Sequence, residues 1–360
     1  MKDAGLPMIL RFEGIQALRA FAAFLVLWTH VKHTGNFSGI PWINNPIGVI
    51  GVDVFFVISG FIISLSAKSL QYDARQFFIN RITRIAPIYW LTAIPLIIAS
   101  LLQNKSSWQA MASTFTFLPI FDFGTYRPPT NNFGWTLGFE FWFYLSSAVV
   151  MALFADATWK VLALFLLIGA YLIRLFYTGS YTLPHFIFNP ILMEFFFGIL
   201  IFKHMHLLKK KMIIPFALAA GYLFYVICMG LQDGSLMFDA KASVIRSLIG
   251  GGFGACLVLT VVAAEIHGFR RWPQWATMLG ECSFSIYLLQ PYSLWLANNM
   301  ARHLKLGAWT SGSIFLAASV LMGILSTIYL EKPLTRAVRK MSTRMFSRPG
   351  DRARKALVTA

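Results

Sequence analysis

Arg19, His30, Asp53, Arg81, Arg84 and Glu140 stand in stretches that are otherwise strongly apolar. A charged side chain in such a stretch costs at least ~2.5 kcal/mol to insert into a membrane, so each needs a partner or a task. The run RAFAAFLVLWTH separates Arg19 from His30 by eleven residues. On a helix that is about three turns, which puts both on one face roughly 16 Å apart along the axis. Asp53 lies near the start of GVDVFFVISGF and Glu140 near the start of GWTLGFEFWFY. Both segments enter from the side on which His30 ends its helix, so the three groups are expected at one depth. A histidine beside a carboxylate suits general-base catalysis, because the carboxylate fixes the tautomer and stabilises the imidazolium. Intramembrane charges also mark transport pathways. Simpler roles remain open too: His30 as an interface residue, Asp53 as a helix cap, Glu140 as the partner of Arg174 or Arg246. At the other face, RITRIAP sets Arg81 and Arg84 three residues apart, a good spacing for two guanidinium forks to clamp a phosphate. Ordinary basic anchoring at the membrane surface accounts for the same pair.

The elements that must carry these residues are membrane helices. Of 360 residues 57% are hydrophobic and only 12% charged, and the mean hydropathy is +0.64, too little polar surface for a soluble domain of this length. Apolar runs of about 18–23 residues are long enough to cross ~30 Å of hydrocarbon. The expected fold is all-α, a polytopic helical bundle of about ten spans near 15–33, 47–66, 84–103, 133–155, 159–177, 186–203, 212–230, 244–265, 276–300 and 308–330. Residues 108–121 are apolar but short, and are expected to form one interfacial or re-entrant helix. Residues 122–132, with Pro128 and Pro129, read as an ordered loop.

The net charge of +17 would suggest a nucleic-acid partner in a soluble chain. Here the basic residues cluster in short loops beside spans, where the positive-inside rule explains them, and no nucleic acid is expected. That rule puts both termini in the cytoplasm and Lys209–Lys211 with them. The expected organisation is a membrane domain over 1–333 and a basic, partly disordered cytoplasmic tail over 334–360, held near anionic head groups. The first span reads as a retained anchor.

Other polar residues suggest less. Cys228, Cys256 and Cys282 have no paired spacing and read as packing residues. His204 and His206 do not share a helical face, the remaining histidines, His33 included, lie at span ends or in loops, and no metal site is expected. Glu194 and Glu281 read as paired within the bundle, and the glycines of 250–254 as close helix packing.

Taken together, Arg19-x10-His30, GVDVFFVISGF, RITRIAP, WTLGFEFWFYL, SFSIYLLQP from Ser283 and the EKP that starts at Glu331 resemble acyltransferase family 3. They occur in that family's order from about residue 13 to 333. Its members O-acylate bacterial surface glycans from the inner membrane. The resemblance implies acyl transfer from cytoplasmic acyl-CoA, acetyl by default, to a glycan hydroxyl. It makes His30 and Arg19 essential and Arg81 and Arg84 functionally important. Acyl-CoA is then a co-substrate and no cofactor is held. We assign His30, Asp53 and Glu140 to catalysis and Arg19, Arg81 and Arg84 to the donor. Many relatives carry His where this chain has Gln290, which argues against chemistry there. The chain resembles the stand-alone exopolysaccharide or Nod-factor type. A transporter or flippase for a glycan or lipid-linked sugar is the rival reading.

Overall fold

A computed structural model describes residues 12–35, 37, 46–105, 107–122, 125–127, 129–154, 158–176, 183–232 and 244–346. They form a helical bundle. Its helices are α1 (Glu13–Val31), α2 (Ile50–Ser69), α3 (Ala74–Leu102), α4 (Trp108–Thr116), α5 (Trp135–Phe154), α6 (Thr158–Phe176), α7 (Leu183–Ile187), α8 (Met193–His204), α9 (Ile213–Gln232), α10 (Val244–Ile266), α11 (Gln274–Leu288), α12 (Gln290–Leu304), α13 (Ala308–Ser326) and α14 (Lys332–Phe346). Among the described residues eight helical stretches are long and apolar enough to cross a membrane.

The bundle is built around α1 and α2. Helix α1 packs along α11 and against α2, while α2 also lies along α8 and α10. The crossing of α2 and α8 depends on two glycines. A Cβ at Gly60 would strike the Phe195 carbonyl, and one at Gly198 the Val57 carbonyl, so the two backbones meet where side chains are absent. One large core cluster joins α2, α3, α5 and α8 through residues such as Phe56, Phe77, Phe143 and Phe195. A second joins α1, α2 and α10 through Ile15, Val54, Phe61 and Val262. Outward-facing residues such as Phe24, Leu102, Leu153, Leu218 and Leu321 are exposed and apolar, as a lipid-facing surface requires.

Three details differ from the hydropathy reading. The expected span over 276–300 is two helices, broken at Leu289: Pro291 has no N–H to donate and opens α12. Helix α3 begins at Ala74, well before its apolar run, because the Asp73 side chain accepts from the Gln76 N–H at 2.9 Å and caps it. The segment after α4 is not one helix: Phe117 takes a left-handed conformation and a short antiparallel hairpin pairs Ile120–Asp122 with Thr125–Arg127.

After α13 the helix widens to a π-turn over Thr327–Glu331 and continues as α14, which packs on α3. The first part of the expected tail is therefore helical, and 347–360 lies outside the described residues. Cys228, Cys256 and Cys282 are free thiols.

Candidate active site

Two cavities enter the bundle beside α1. The first has a volume of about 110 Å³, and its lining includes Arg19, Arg81, Arg84, Glu140, Tyr144 and Ser283. Arg19 is on α1, one turn beyond Gln16, to whose Oε1 it donates at 3.1 Å. Arg81 and Arg84 project from successive turns of α3. The Arg81 guanidinium lies 5.7 Å from the Phe77 ring centroid and 6.0 Å from that of Tyr144. Its Nε is buried with no hydrogen-bond partner among the described residues. Glu140 accepts from Ser59 Oγ at 3.2 Å and from the Tyr144 hydroxyl one turn further along α5. Glu331 stands close enough to Arg19 to act on it electrostatically, and Arg339 of α14 acts likewise on Arg84. Glu331 is itself held by Ser285 Oγ at 2.6 Å. Four guanidinium groups thus gather around two carboxylates, which leaves this end of the bundle with an excess of positive charge.

The second cavity, of about 510 Å³, is lined by His30 and His33 with Thr29, Val49, Phe133 and Trp135 among others. The His30 ring packs edge-on against Phe133, centroids 4.5 Å apart, and stacks on His33 at 5.8 Å. Phe133 thus covers one side of the imidazole. The two cavities share two lining residues, Val52 of α2 and Tyr287 of α11.

The structure brings Arg19, Arg81, Arg84 and Glu140 together. It does not bring Asp53 or Glu140 to His30. Asp53 is fully buried on another face of α2, where Arg246 Nη2 of α10 donates to its Oδ1 at 2.6 Å. Arg246 Nη1 also lies 3.7 Å from Glu194 Oε1 of α8. Gly250 supplies the room, since a Cβ there would overlap Asp53 Oδ2. Arg246, offered by sequence as a partner for Glu140, thus belongs to Asp53 and Glu194. Glu281 pairs at 3.1 Å with Lys332 in a half-exposed bridge. The charged or titratable neighbours that act on His30 among the described residues are Lys32 and His33.

Two lining residues were not assigned to the site from sequence although a signal was present: His33, read as a span-end histidine, and Tyr144. His33 is three residues after His30, a spacing that puts side chains on one face. Tyr144 is four after Glu140 for the same reason. Among the described residues no cluster of His, Cys, Asp and Glu could hold a metal ion.

The chain is similar to several known proteins. The exopolysaccharide production protein ExoZ of Rhizobium meliloti (strain 1021) is 28% identical over 310 residues, covering 81% of this chain and 91% of ExoZ. The peptidoglycan O-acetyltransferase OatA of Listeria monocytogenes is 31% identical over 152 residues, 37% of this chain and 23% of OatA. A putative peptidoglycan O-acetyltransferase of Bacillus subtilis, YrhL, is 31% identical over 152 residues, 37% of this chain and 22% of YrhL. No solved structure matches significantly. The family model for the acyltransferase domain, acyltransferase family 3, matches residues 12–331 and so takes in every lining residue of both cavities, and this chain belongs to that family of membrane O-acyltransferases.

Proposed function

We propose that the protein moves an acyl group, acetyl by default, from acyl-CoA held in the arginine cavity to a hydroxyl of a surface or lipid-linked glycan in the His30 cavity. The observation that carries this reading is the meeting of the two cavities at Val52 and Tyr287. An anion site and an imidazole then lie on either side of the same two side chains. The roughly 16 Å of α1 between Arg19 and His30 is comparable to an extended pantetheine arm. Arg81, Arg84 and Arg19 take the donor phosphates, and the arm lies along Phe55, Phe56 and Ile58. At its tip the glycan hydroxyl oxygen attacks the thioester carbonyl. His30 removes the hydroxyl proton as the new C–O bond forms, the C–S bond breaks, and the proton passes to the departing CoA thiolate. Phe133 keeps the ring aligned for this. Glu140, turned to the arginines, sets their charge and position.

The donor enters from the cytoplasm in this reading, with the protein in the bacterial inner membrane and both termini on the cytoplasmic side. The basic residues of α14 and Lys209–Lys211 favour that orientation. ExoZ, OatA and YrhL are named for work on exopolysaccharide or peptidoglycan, which supports a glycan acceptor and disfavours the transporter reading. Purified protein given acetyl-CoA and acceptor glycan should release free CoA thiol in proportion to ester formed on the glycan. No release with any acyl-CoA would refute the donor assignment.

A further inference from the structure

The partition between the two cavities is held from both sides. Tyr287, nearly buried, donates its hydroxyl to the Phe133 carbonyl at 2.6 Å and so accepts from Thr136 Oγ1 at 2.9 Å. Its ring cannot swing aside without breaking both bonds. It is also coupled to the imidazole, since the same Phe133 packs on His30. The other shared lining residue is Val52, buried and β-branched, with a stiff first torsion. The next residue, Asp53, ties α2 to α10 through Arg246. The backbone that presents Val52 is therefore fixed by a buried ion pair one residue away. Two constrained side chains thus stand where the linings of the two cavities overlap.

Resting on the donor reading above, we infer that Val52 and Tyr287 form a neck through which the acyl group passes to reach His30, and that its width selects the donor by bulk. An unbranched short acyl group is no wider than the arm that carries it and passes. A group branched beside the carbonyl meets Val52 and is held back. Thr136 and Phe133 are positioning residues for Tyr287, and the Asp53–Arg246 pair acts in the same way on Val52. A pocket contact that rejects one extra methyl group discriminates by about 10–200-fold, which sets the scale expected here.

The test uses full-length protein in which Cys228, Cys256 and Cys282 are replaced by Ala, combined with Val52→Cys. After purification the introduced thiol is modified with methanethiosulfonates of increasing size, and labelling is counted by mass spectrometry. CoA binding and acetyl transfer are then measured separately. A methyl adduct should slow transfer modestly. A benzyl adduct should reduce it about 100-fold or more with CoA affinity within about twofold, and reductant should restore it. Independently, Val52→Ala should raise the ratio of isobutyryl to acetyl transfer by about tenfold or more. Full-rate transfer by fully benzylated protein, an introduced thiol that no reagent reaches, or unchanged acyl selectivity in Val52→Ala would each overturn the neck. Absence of thiol release in unmodified protein as well would instead overturn the donor reading, and this inference with it.

Discussion

Replacing Arg246 by Met should be among the most destabilising single changes in the bundle. The guanidinium is 2.6 Å from Asp53 Oδ1 and 3.7 Å from Glu194 Oε1, with Arg246 only 3% exposed and both carboxylates fully buried. Removing it strips Asp53 of its donor and leaves two acids facing each other in an apolar interior. Breaking a buried pair in this way costs about 3–5 kcal/mol. Asp53→Asn should cost less, about 1–3 kcal/mol, because the amide oxygen still accepts and Arg246 keeps Glu194. Asp53→Leu and Glu194→Leu combined with Arg246→Met should recover much of the loss, since an apolar triad of similar volume removes all three charges and their penalty. Reversible unfolding in mixed micelles with increasing SDS gives the three values. An unshifted midpoint for Arg246→Met would refute the account of the triad. The same variants place Asp53 functionally. If it holds α2 rather than orienting His30, Asp53→Asn leaves the acid limb of the transfer–pH profile in place. A displaced limb would return Asp53 to the imidazole.

His30→Ala and His30→Gln should both abolish glycan acylation while protein level and membrane insertion stay normal; an active Gln variant would dismiss the base, since an amide takes no proton at neutral pH. In the wild type, transfer should fall towards acidic pH once the imidazole protonates, because only the neutral ring accepts the hydroxyl proton; transfer that rises with acidity would count against His30. Arg81→Ala with Arg84→Ala should raise the KM for acyl-CoA with a smaller change in kcat, and double Lys replacement should rescue only in part because ammonium groups lack the planar fork. Unchanged donor kinetics would return the pair to surface anchoring.

What the sequence disclosed about this site follows from what periodicity can measure. The i, i+3 spacing of Arg81 and Arg84 and the shared face of Arg19 and His30 are local, and the folded α3 and α1 preserve them. Depth along a helix is also readable, at 1.5 Å per residue. Azimuth is not readable where a helix is apolar all round. Helix α2 has no polar face to declare which way Asp53 points, and only its packing against α8 and α10 turns that carboxylate away from His30. Glu140 misled differently. Hydropathy marks an apolar run rather than a helix, so the Asp73 cap was overlooked and Arg81 and Arg84 seemed to precede a span within which they lie. They reach far enough into the bundle to share a cavity with Glu140. The junction of Val52 with Tyr287 joins residues far apart in sequence, and no local pattern announces such a contact.

The pairing of Asp53 with Arg246 also bears on how the chain is assembled. The partners are 193 residues apart, and a ribosome adding about 5–20 residues per second needs about 10–40 s to make the second after the first. For that interval α2 carries a carboxylate whose partner does not yet exist, at an insertion cost of about 2.5–3.5 kcal/mol. A nascent α2 must therefore stay protonated, linger beside the translocon or lodge against a chaperone until α10 arrives. Biogenesis of this bundle is thus paced by translation. Truncated nascent chains ending before Arg246 should hold α2 less firmly in the bilayer than chains extending past it.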